Sequence, residues 1–454
     1  MYLDMNRRPL SNFIFPLVVI TVHACFFLLA LHYRHIYNGD SFEYIQEAAN
    51  IKENFFFYSS NRALPVLDEY KTLRTPLYPL FLALIYSIKV NNCLVLFLQN
   101  GLSVFNIFYF RKILSEQGYT GHFPWLLLLF ILGFPAQFLY ANTIAPEILL
   151  QTFTLLYFRH AFLFITRKQA KAALVMSSAL LLALLTKPVF YPFAFVHFLL
   201  LSAYALAQKI NWRLCIAAAL IPVAGIVLYS FWNYERTGKY HFSSIQSFNA
   251  IFYYNNYFQA KNGSDTARLF LDQERAIIAA IPEFKDRYDY AHRRGIGLLK
   301  ENFGDYTAYH LKQSLLFYLE PGKGEIDLFT GRMTLGGLYT APTVSFREVL
   351  ATRSAQKILH YLAAYPTAWL ALLILVLNTV KCAGVLLFFF YAQVNRAAKW
   401  FLLICFGYFA IITGPIAAPH YVLPVSLIFA GCAVRGFEWF TDRKSKLPQP
   451  CASL

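Results

Sequence analysis

Long runs of apolar residues constrain this chain more than any other feature of its sequence. A transmembrane α-helix needs roughly 20 apolar residues, and about ten segments of this kind are present. Only 14% of the 454 residues are charged and 58% are hydrophobic, whereas a soluble domain is usually about 25% charged. We therefore predict an all-α polytopic membrane protein. The predicted spans centre on residues 13–32, 93–110, 123–141, 147–165, 171–186, 189–207, 213–232, 365–391, 398–415 and 421–437.

The first apolar run, from Phe13 to about Leu31, follows two arginines and could be a signal peptide. It is longer than the apolar part of a typical signal peptide, and no small-residue cleavage site precedes Tyr33-Arg34. We expect it to be retained as the first span.

The distribution of charge indicates which kind of partner the chain has. The net charge of +16 could indicate nucleic acid, but the basic residues form short clusters between apolar runs rather than one solvated stripe. We therefore expect a lipid bilayer and no nucleic acid as the partner.

The seven cysteines show no CxxC or Cys/His spacing, which supports neither a disulfide framework nor a structural metal site.

The stretch Pro76–Lys89 decides how the chain crosses the membrane. It is apolar but short and has two prolines near its start, which favours an interfacial or re-entrant helix over a span. If it does not cross, every short basic loop falls on one side with both termini, and the positive-inside rule assigns that side to the cytoplasm. These basic segments are Arg111-Lys112 and its surroundings, 167–171, 209–213, 395–399 and the tail 442–446.

This topology divides the chain into three parts. Residues 1–232 form a transmembrane module whose first external loop is 33–92. Residues 233–364 form a large external segment, with a helical stretch expected from about Asp272 to Phe317, and residues 365–454 hold the remaining spans and a short tail. We expect the external segment to form a helical cap on the membrane core.

Acidic residues from two external loops are candidates for chemistry. Asp40 stands just beyond the first span, Glu43 follows one turn later, and Glu147 comes directly after Pro146 at the head of a later span. Asp40 could have no role beyond capping a helix. Glu147 could have no role beyond its favourable interaction with the helix dipole at a helix N-terminus. Two acids that converge beneath a cap are nevertheless costly unless they serve as a base, a hydrogen-bonding clamp or metal ligands.

Basic residues on the external face are the second group of candidates, because the orientation bias disfavours them there. They are Arg74, Lys187 and His420. Each could extend to lipid head groups without any further role. Together they could donate charge-assisted hydrogen bonds to a phosphate at the membrane surface, such as an anionic lipid head group.

The order of these motifs resembles the GT-C membrane glycosyltransferases, of the type that includes dolichyl-phosphate-mannose protein mannosyltransferases and lipid A aminoarabinose transferases. The resemblance covers roughly the first two hundred residues best. The motifs that carry it are Gly39-Asp40-Ser41-x-x-Tyr44, Arg74-Thr75-Pro76-Leu77-Tyr78-Pro79, Pro146-Glu147 and His420-Tyr421-Val422-Leu423-Pro424.

The resemblance implies a donor with one sugar on a polyprenyl phosphate, and a glycan, lipid or protein acceptor at the external face of a plasma membrane. It implies Asp40 as the general base and Glu147 as a second catalytic acid. The implied substrate-binding residues are Glu43, Tyr44, Arg74, Tyr78, Lys187, His420 and Tyr421. The stretch 233–240, followed by Ser243-Ser244 and Asn249, resembles the start of the family's large external loop and is expected near the sugar.

Two departures from that family leave alternatives open. No acid adjoins Asp40, and the second-loop acid is Glu147 rather than Asp. Glu147 could therefore orient the acceptor, fix the sugar or share a divalent metal with Asp40, although no cofactor is required. The competing interpretations are a transporter or flippase for a lipid-linked saccharide and a noncatalytic subunit of an envelope-assembly complex.

Overall fold

The computed structural model describes residues 8–119, 124–332, 349 and 352–445. Within these residues the chain forms helices and no strand, which confirms the all-α prediction. The helices are α1 (Arg8–Tyr33), α2 (Ser41–Asn54), α3 (Leu77–Ile88), α4 (Asn92–Glu116), α5 (Pro124–Leu132), α6 (Ala136–Ala141), α7 (Glu147–Arg167), α8 (Ala170–Thr186), α9 (Tyr191–Ala207), α10 (Trp212–Thr237), α11 (Ile245–Asn262), α12 (Ser264–Ala279), α13 (Phe284–Glu301), α14 (Phe303–Leu316), α15 (Lys323–Phe329), α16 (Ala355–Ala364), α17 (Thr367–Tyr391), α18 (Arg396–Thr413) and α19 (Pro419–Ser445). Short 3-10 turns lie at Asp68–Lys71, Pro188–Phe190, Phe317–Leu319 and Gly414–Ile416.

Eight segments of the described chain are helices long and apolar enough to cross a membrane: α1, α4, α7, α9, α10, α17, α18 and α19. Two shorter helical segments also connect opposite ends of the bundle. One is α8, whose 17 residues are about 25 Å long at 1.5 Å per residue. The other consists of α5 and α6. The chain is thus a multi-pass membrane protein with ten passes through the bundle in its described part.

The pass predicted over 123–141 differs from a single helix. It is divided at Gly133-Phe134-Pro135, between the end of α5 and the start of α6, and residues 120–123 lie outside the described residues. Pro135 has no backbone N–H and its ring clashes with the preceding turn, so a continuous helix is broken there. An apolar count alone does not detect such a break.

Helix α3 does not cross the bundle. The side chain of Asn92, at the start of α4, donates a hydrogen bond of 3.0 Å to the hydroxyl of Tyr37, just after α1. The chain therefore leaves α1 and enters α4 at the same end of the bundle. With 12 residues, α3 is about 18 Å long, short of the roughly 30 Å hydrocarbon core. This is the geometry on which the predicted sidedness depends.

Three helices that lead into basic segments meet at the opposite end of the bundle. Arg159 of α7 donates to Glu116 at the end of α4, with an Nη2 to Oε1 distance of 2.8 Å. Arg435 of α19 donates to the carbonyl oxygen of Gly118 at 2.9 Å. The C-terminal ends of these three helices are thus neighbours. Lys446 of the predicted basic tail lies outside the described residues.

Neutral amides hold the centre of the bundle together. Gln151 of α7 is fully buried and exchanges hydrogen bonds with Gln137 of α6, at 2.8 and 3.0 Å. Its Oε1 also accepts from Asn106 of α4 at 3.1 Å, and its Nε2 donates to the carbonyl oxygen of Leu423 in α19 at 2.9 Å. Satisfied polar groups of this kind fix how helices pack in an apolar medium.

The segment predicted to be external consists mainly of helices in its described part. α10 continues through Thr237 and ends at Gly238, whose φ of 68° is left-handed, so the segment starts beyond residue 232. α11 packs against α13, where a Cβ at Gly295 would lie only 2.7 Å from the Cβ of Ala250. The predicted stretch 272–317 comprises the end of α12, α13 and α14.

Cysteine labelling tests which side of the membrane the cavity end faces. In a chain without its native cysteines, Ser115→Cys and Ser264→Cys place one thiol at each end, both at exposed positions. We expect an impermeant maleimide to label position 264 in intact cells and position 115 only after permeabilisation, because the basic loops favour the cytoplasm. The reverse pattern would invert the predicted topology.

Candidate active site

A cavity of about 240 Å3 opens at the end of the bundle where α1 ends and α4 begins. Its walls are formed by six parts of the chain: the segment before α2, the segment before α3, the turn between α8 and α9, helix α11, the end of α18 and the start of α19. The predicted site residues among its lining are Asp40, Tyr44, Arg74, Lys187 and Tyr421. The other lining residues are Leu73, Thr75, Pro188, Val189, Tyr191, Pro192, Ile245, Gln246, Asn249, Tyr253, Ile412, Thr413 and Ile416.

Arg74 joins two acids of the segment between α1 and α4. Its side chain is only 9% exposed, and its Nε donates to Glu43 Oε2 at 2.6 Å while its Nη2 donates to Asp40 Oδ1 at 2.8 Å. The guanidinium carbon also lies 5.1 Å from the ring centroid of Tyr44, within cation–π range. One buried cation therefore orients two carboxylates that lie one helical turn apart.

Asp40 does not cap α2, although it occupies the N-cap position. Its backbone is helical, with φ −90° and ψ −15°, and its side chain makes no capping hydrogen bond. The turn is stabilised instead by Ser41, whose hydroxyl accepts from the N–H of Asn38 at 2.8 Å and contacts the carbonyl oxygen of Ile144 at 2.7 Å. The carboxylate of Asp40 is therefore available to the cavity, and its side chain is 46% exposed.

The acids of α2 and its cap position differ in pKa. Surrounding protein favours the neutral form of Asp40, but Arg74, Lys187 and His420 outweigh burial and lower its pKa below the ordinary value. Burial dominates at Glu43 and raises its pKa despite Arg74. Burial raises the pKa of Glu47 much further, and its Oε2 has no hydrogen-bond partner. Of these three acids, only Asp40 has a lowered pKa and lines the cavity.

Glu147 and Lys187 form a second buried ion pair, with 2.6 Å between Lys187 Nζ and Glu147 Oε1. Glu147 is 3% exposed and does not line the cavity, whereas Lys187 does. Burial lowers the pKa of Lys187, but Glu147 and nearby tyrosines outweigh it and raise the pKa. The ammonium also lies 4.9 Å from the ring centroid of Tyr421. Lys187 thus presents a positive charge to the cavity with Glu147 behind it.

The structure divides the predicted substrate-binding residues into two groups. Tyr44, Arg74, Lys187 and Tyr421 line the cavity, whereas Glu43, Tyr78 and His420 do not. Tyr78 is fully buried, donates to Gln99 Oε1 at 2.6 Å and packs edge-on against Tyr44. It supports the cavity wall and does not face the cavity.

Sequence reasoning missed Glu325, the partner of His420. Its Oε1 lies 3.1 Å from His420 Nδ1 and accepts from the Tyr140 hydroxyl at 2.9 Å. Nothing in the sequence relates Glu325 to a histidine 95 positions later. Gln246 and Tyr253 were also missed, whereas Asn249 was expected in this region.

A metal shared by Asp40 and Glu147 does not fit this arrangement. Each of the two carboxylates is already paired with its own cationic side chain. In the described ranges, no group of three or more His, Cys, Asp or Glu residues could hold a metal ion. The carboxylates of Asp40 and Glu147 are therefore held by ion pairs and hydrogen bonds.

No protein-family model and no curated protein matches the chain. Among solved structures it is similar to the crystal structure of ArnT from Cupriavidus metallidurans bound to undecaprenyl phosphate, with 13% sequence identity and a TM-score of 0.37 over 96% of this chain and 81% of that one.

Removing the charge of Lys187 tests the buried pair. Lys187→Met leaves the Glu147 carboxylate buried without a cation, and we expect it to destabilise the protein by about 3–5 kcal/mol. Lys261→Met is the matched control, because Lys261 and Asp305 are 55% and 73% exposed and such surface pairs contribute about 0–1 kcal/mol. Thermal unfolding in detergent measures both.

The double variant Lys187→Met, Glu147→Gln separates charge from packing. It removes the uncompensated carboxylate, so we expect it to recover most of the lost unfolding temperature. Equal destabilisation by the single and double variants would show that Lys187 acts through packing alone.

Proposed function

We propose that this protein is a glycosyltransferase that moves one sugar from a polyprenyl-phosphate donor to an acceptor hydroxyl at the external face of a plasma membrane. The observation that carries the proposal is the placement of Asp40. Its carboxylate caps no helix, is half-exposed to the cavity and is kept ionised by Arg74 and Lys187. An oriented, accessible carboxylate is what a general base requires.

The charge of the cavity lining suits a phosphodiester. Among the described residues, Arg74 and Lys187 line it as cations and Asp40 as the anion, so the lining carries one net positive charge. Glu43 and Glu147 are set behind their cations. A sugar phosphodiester carries one negative charge and gains a second as the phosphate leaves. The two cations can stabilise that developing charge.

A helix suited to the membrane interface borders the cavity, which supports a lipid phosphate as its ligand. Helix α3 begins beside it and exposes Leu80, Leu84 and Ile88 along one face, which is typical of a helix that lies in the membrane interface. The apolar side chains of Val189, Ile412 and Ile416 line the cavity. They could contact the first part of a carrier lipid.

The proposed reaction is a single displacement. The acceptor hydroxyl oxygen attacks the anomeric carbon, the bond from that carbon to the phosphate oxygen breaks, and the acceptor proton passes to the Asp40 carboxylate. Polyprenyl phosphate departs with the bonding electron pair and needs no proton. The hydroxyl becomes acidic only as the new bond forms, so a weakly basic carboxylate suffices. Attack opposite the phosphate inverts the anomeric centre.

Asp40→Asn tests the base. The change keeps the size of the side chain and removes the proton acceptor, so we expect transfer from a polyprenyl-phosphate sugar to fall by about 100-fold or more. Proteoliposomes supplied with radiolabelled donor and acceptor membranes provide the measurement. Asp305→Asn is the control, because Asp305 is 73% exposed on α14, away from the cavity.

Two outcomes of the Asp40 test favour other functions. Transfer by Asp40→Asn at the wild-type rate would show that the carboxylate is not the base. Movement of intact donor across the bilayer, without cleavage of its phosphodiester, would instead identify a flippase.

The pKa of Asp40 sets a pH dependence. Because this pKa lies below the ordinary 3.8, the carboxylate is ionised at higher pH and is lost as a base only as the pH falls through that low value. We expect transfer to show no acidic limb between about pH 5 and pH 8. A decline centred near pH 6.5 would indicate a histidine as the essential base.

A further inference from the structure

The two sides of the cavity differ in charge. The three ionised residues that line it, among those described, are Asp40, Arg74 and Lys187, and the proposed function assigns them to the acceptor proton and the phosphate. The side formed by α11 contributes Ile245, Gln246, Asn249 and Tyr253, which are all uncharged. The sugar of the donor must lie between the phosphate and this neutral side.

The polar residues of α11 share one helix face. Gln246, Asn249 and Tyr253 follow the i, i+3, i+7 spacing that places side chains above one another. Gln246 Oε1 accepts from the N–H of Ser243 at 3.3 Å and so closes the first turn of α11. The amide of Asn249 makes no hydrogen bond with any other described residue, although it lines the cavity. Its two donors and one acceptor are available to vicinal hydroxyls.

Contacts at both ends hold α11 in place. Near its start, Ser244 Oγ donates to the carbonyl oxygen of Glu69 at 2.8 Å. Further along, the Tyr253 hydroxyl donates to the carbonyl oxygen of Ile412 at 2.7 Å, and α13 packs tightly on the helix at Gly295. The amide of Asn249 is therefore carried on a fixed backbone, which lowers the entropy lost when a ligand binds.

We propose that Asn249, assisted by Gln246, determines sugar specificity by hydrogen-bonding the hydroxyls of an uncharged sugar. The inference rests on the proposed function, since it takes the ligand to be a polyprenyl-phosphate sugar. A sugar carboxylate on the α11 side loses hydration without meeting a cation. A sugar ammonium finds no unpaired acid there and faces the two cations of the other side.

Binding measurements with detergent-solubilised full-length protein test the inference. The probes are undecaprenyl phosphate alone and undecaprenyl phosphate carrying a neutral hexose (gluco, galacto or manno), a 4-aminopentose or a hexuronic acid. We expect at least one neutral hexose to bind more tightly than bare undecaprenyl phosphate. We expect Asn249→Ala to weaken the binding of that hexose-carrying lipid by about tenfold and to leave the affinity for bare undecaprenyl phosphate unchanged.

Two further variants sharpen the test. Asn249→Asp supplies a carboxylate and is expected to shift preference toward the 4-aminopentose by about tenfold or more. Asn256→Ala is the matched control, because Asn256 is on the same helix, does not line the cavity and donates to the Phe252 carbonyl oxygen at 2.8 Å. It is expected to leave every affinity unchanged.

The outcomes separate this inference from the proposed function. Tighter binding of a charged sugar than of every neutral hexose would overturn the inference and leave the glycosyltransferase standing. Equal weakening of bare undecaprenyl phosphate and hexose by Asn249→Ala would overturn it in the same way. Failure of all the undecaprenyl phosphates to bind would refute the proposed function and the inference together.

Discussion

The cavity depends on one buried guanidinium. Asp40 and Glu43 lie three positions apart at the start of α2, where two carboxylates repel each other, and Arg74 holds both. The segment that carries Arg74 is itself fixed by the residues between α10 and α11, at the start of the predicted cap. Ser243 Oγ donates to the carbonyl oxygen of Leu73 at 3.0 Å, and the Ser244 N–H donates to that of Thr72 at 3.2 Å. First loop, cap and cavity therefore form one hydrogen-bonded unit.

That unit exists only because α3 returns to the side from which it came. A crossing at α3 would reverse every later helix and place Lys187 and Tyr421 at the opposite end from Asp40. The hydrogen bond between Asn92 and Tyr37 shows directly that it does not cross. The sequence supported the same conclusion through the basic loops, because only a non-crossing α3 puts all of them on one side.

Much of the fold and part of the cavity could be predicted from the sequence, for identifiable reasons. Asp40, Lys187 and Tyr421 stand at the ends of long apolar runs, so locating the runs locates them. The pairing of Arg74 with Glu43 joins positions 31 apart, and that of His420 with Glu325 joins positions 95 apart. Sequence spacing contains no information about such pairs.

Local rules failed where tertiary contacts override them. Asp before a helix usually caps it by accepting from its first N–H groups, and an N-cap residue typically has an extended backbone. Here Asp40 is helical and its carboxylate turns toward Arg74, so the ion pair replaces the cap. The sequence allowed Asp40 to be an ordinary helix cap, and the structure shows that it is not. This strengthens the case for Asp40 as the base.

Buried neutral amides link the core of the bundle to the cavity. Neutral amides such as Gln137 and Gln151 occupy the centre, where an unpaired ion would be far more costly. They fix how far α4, α6, α7 and α19 slide past one another. A slip of one residue moves a helix by about 1.5 Å along its axis, enough to break the 2.6 Å contact between Lys187 and Glu147. The buried amides therefore help to position the ion pairs beside the cavity, although they do not line the cavity themselves.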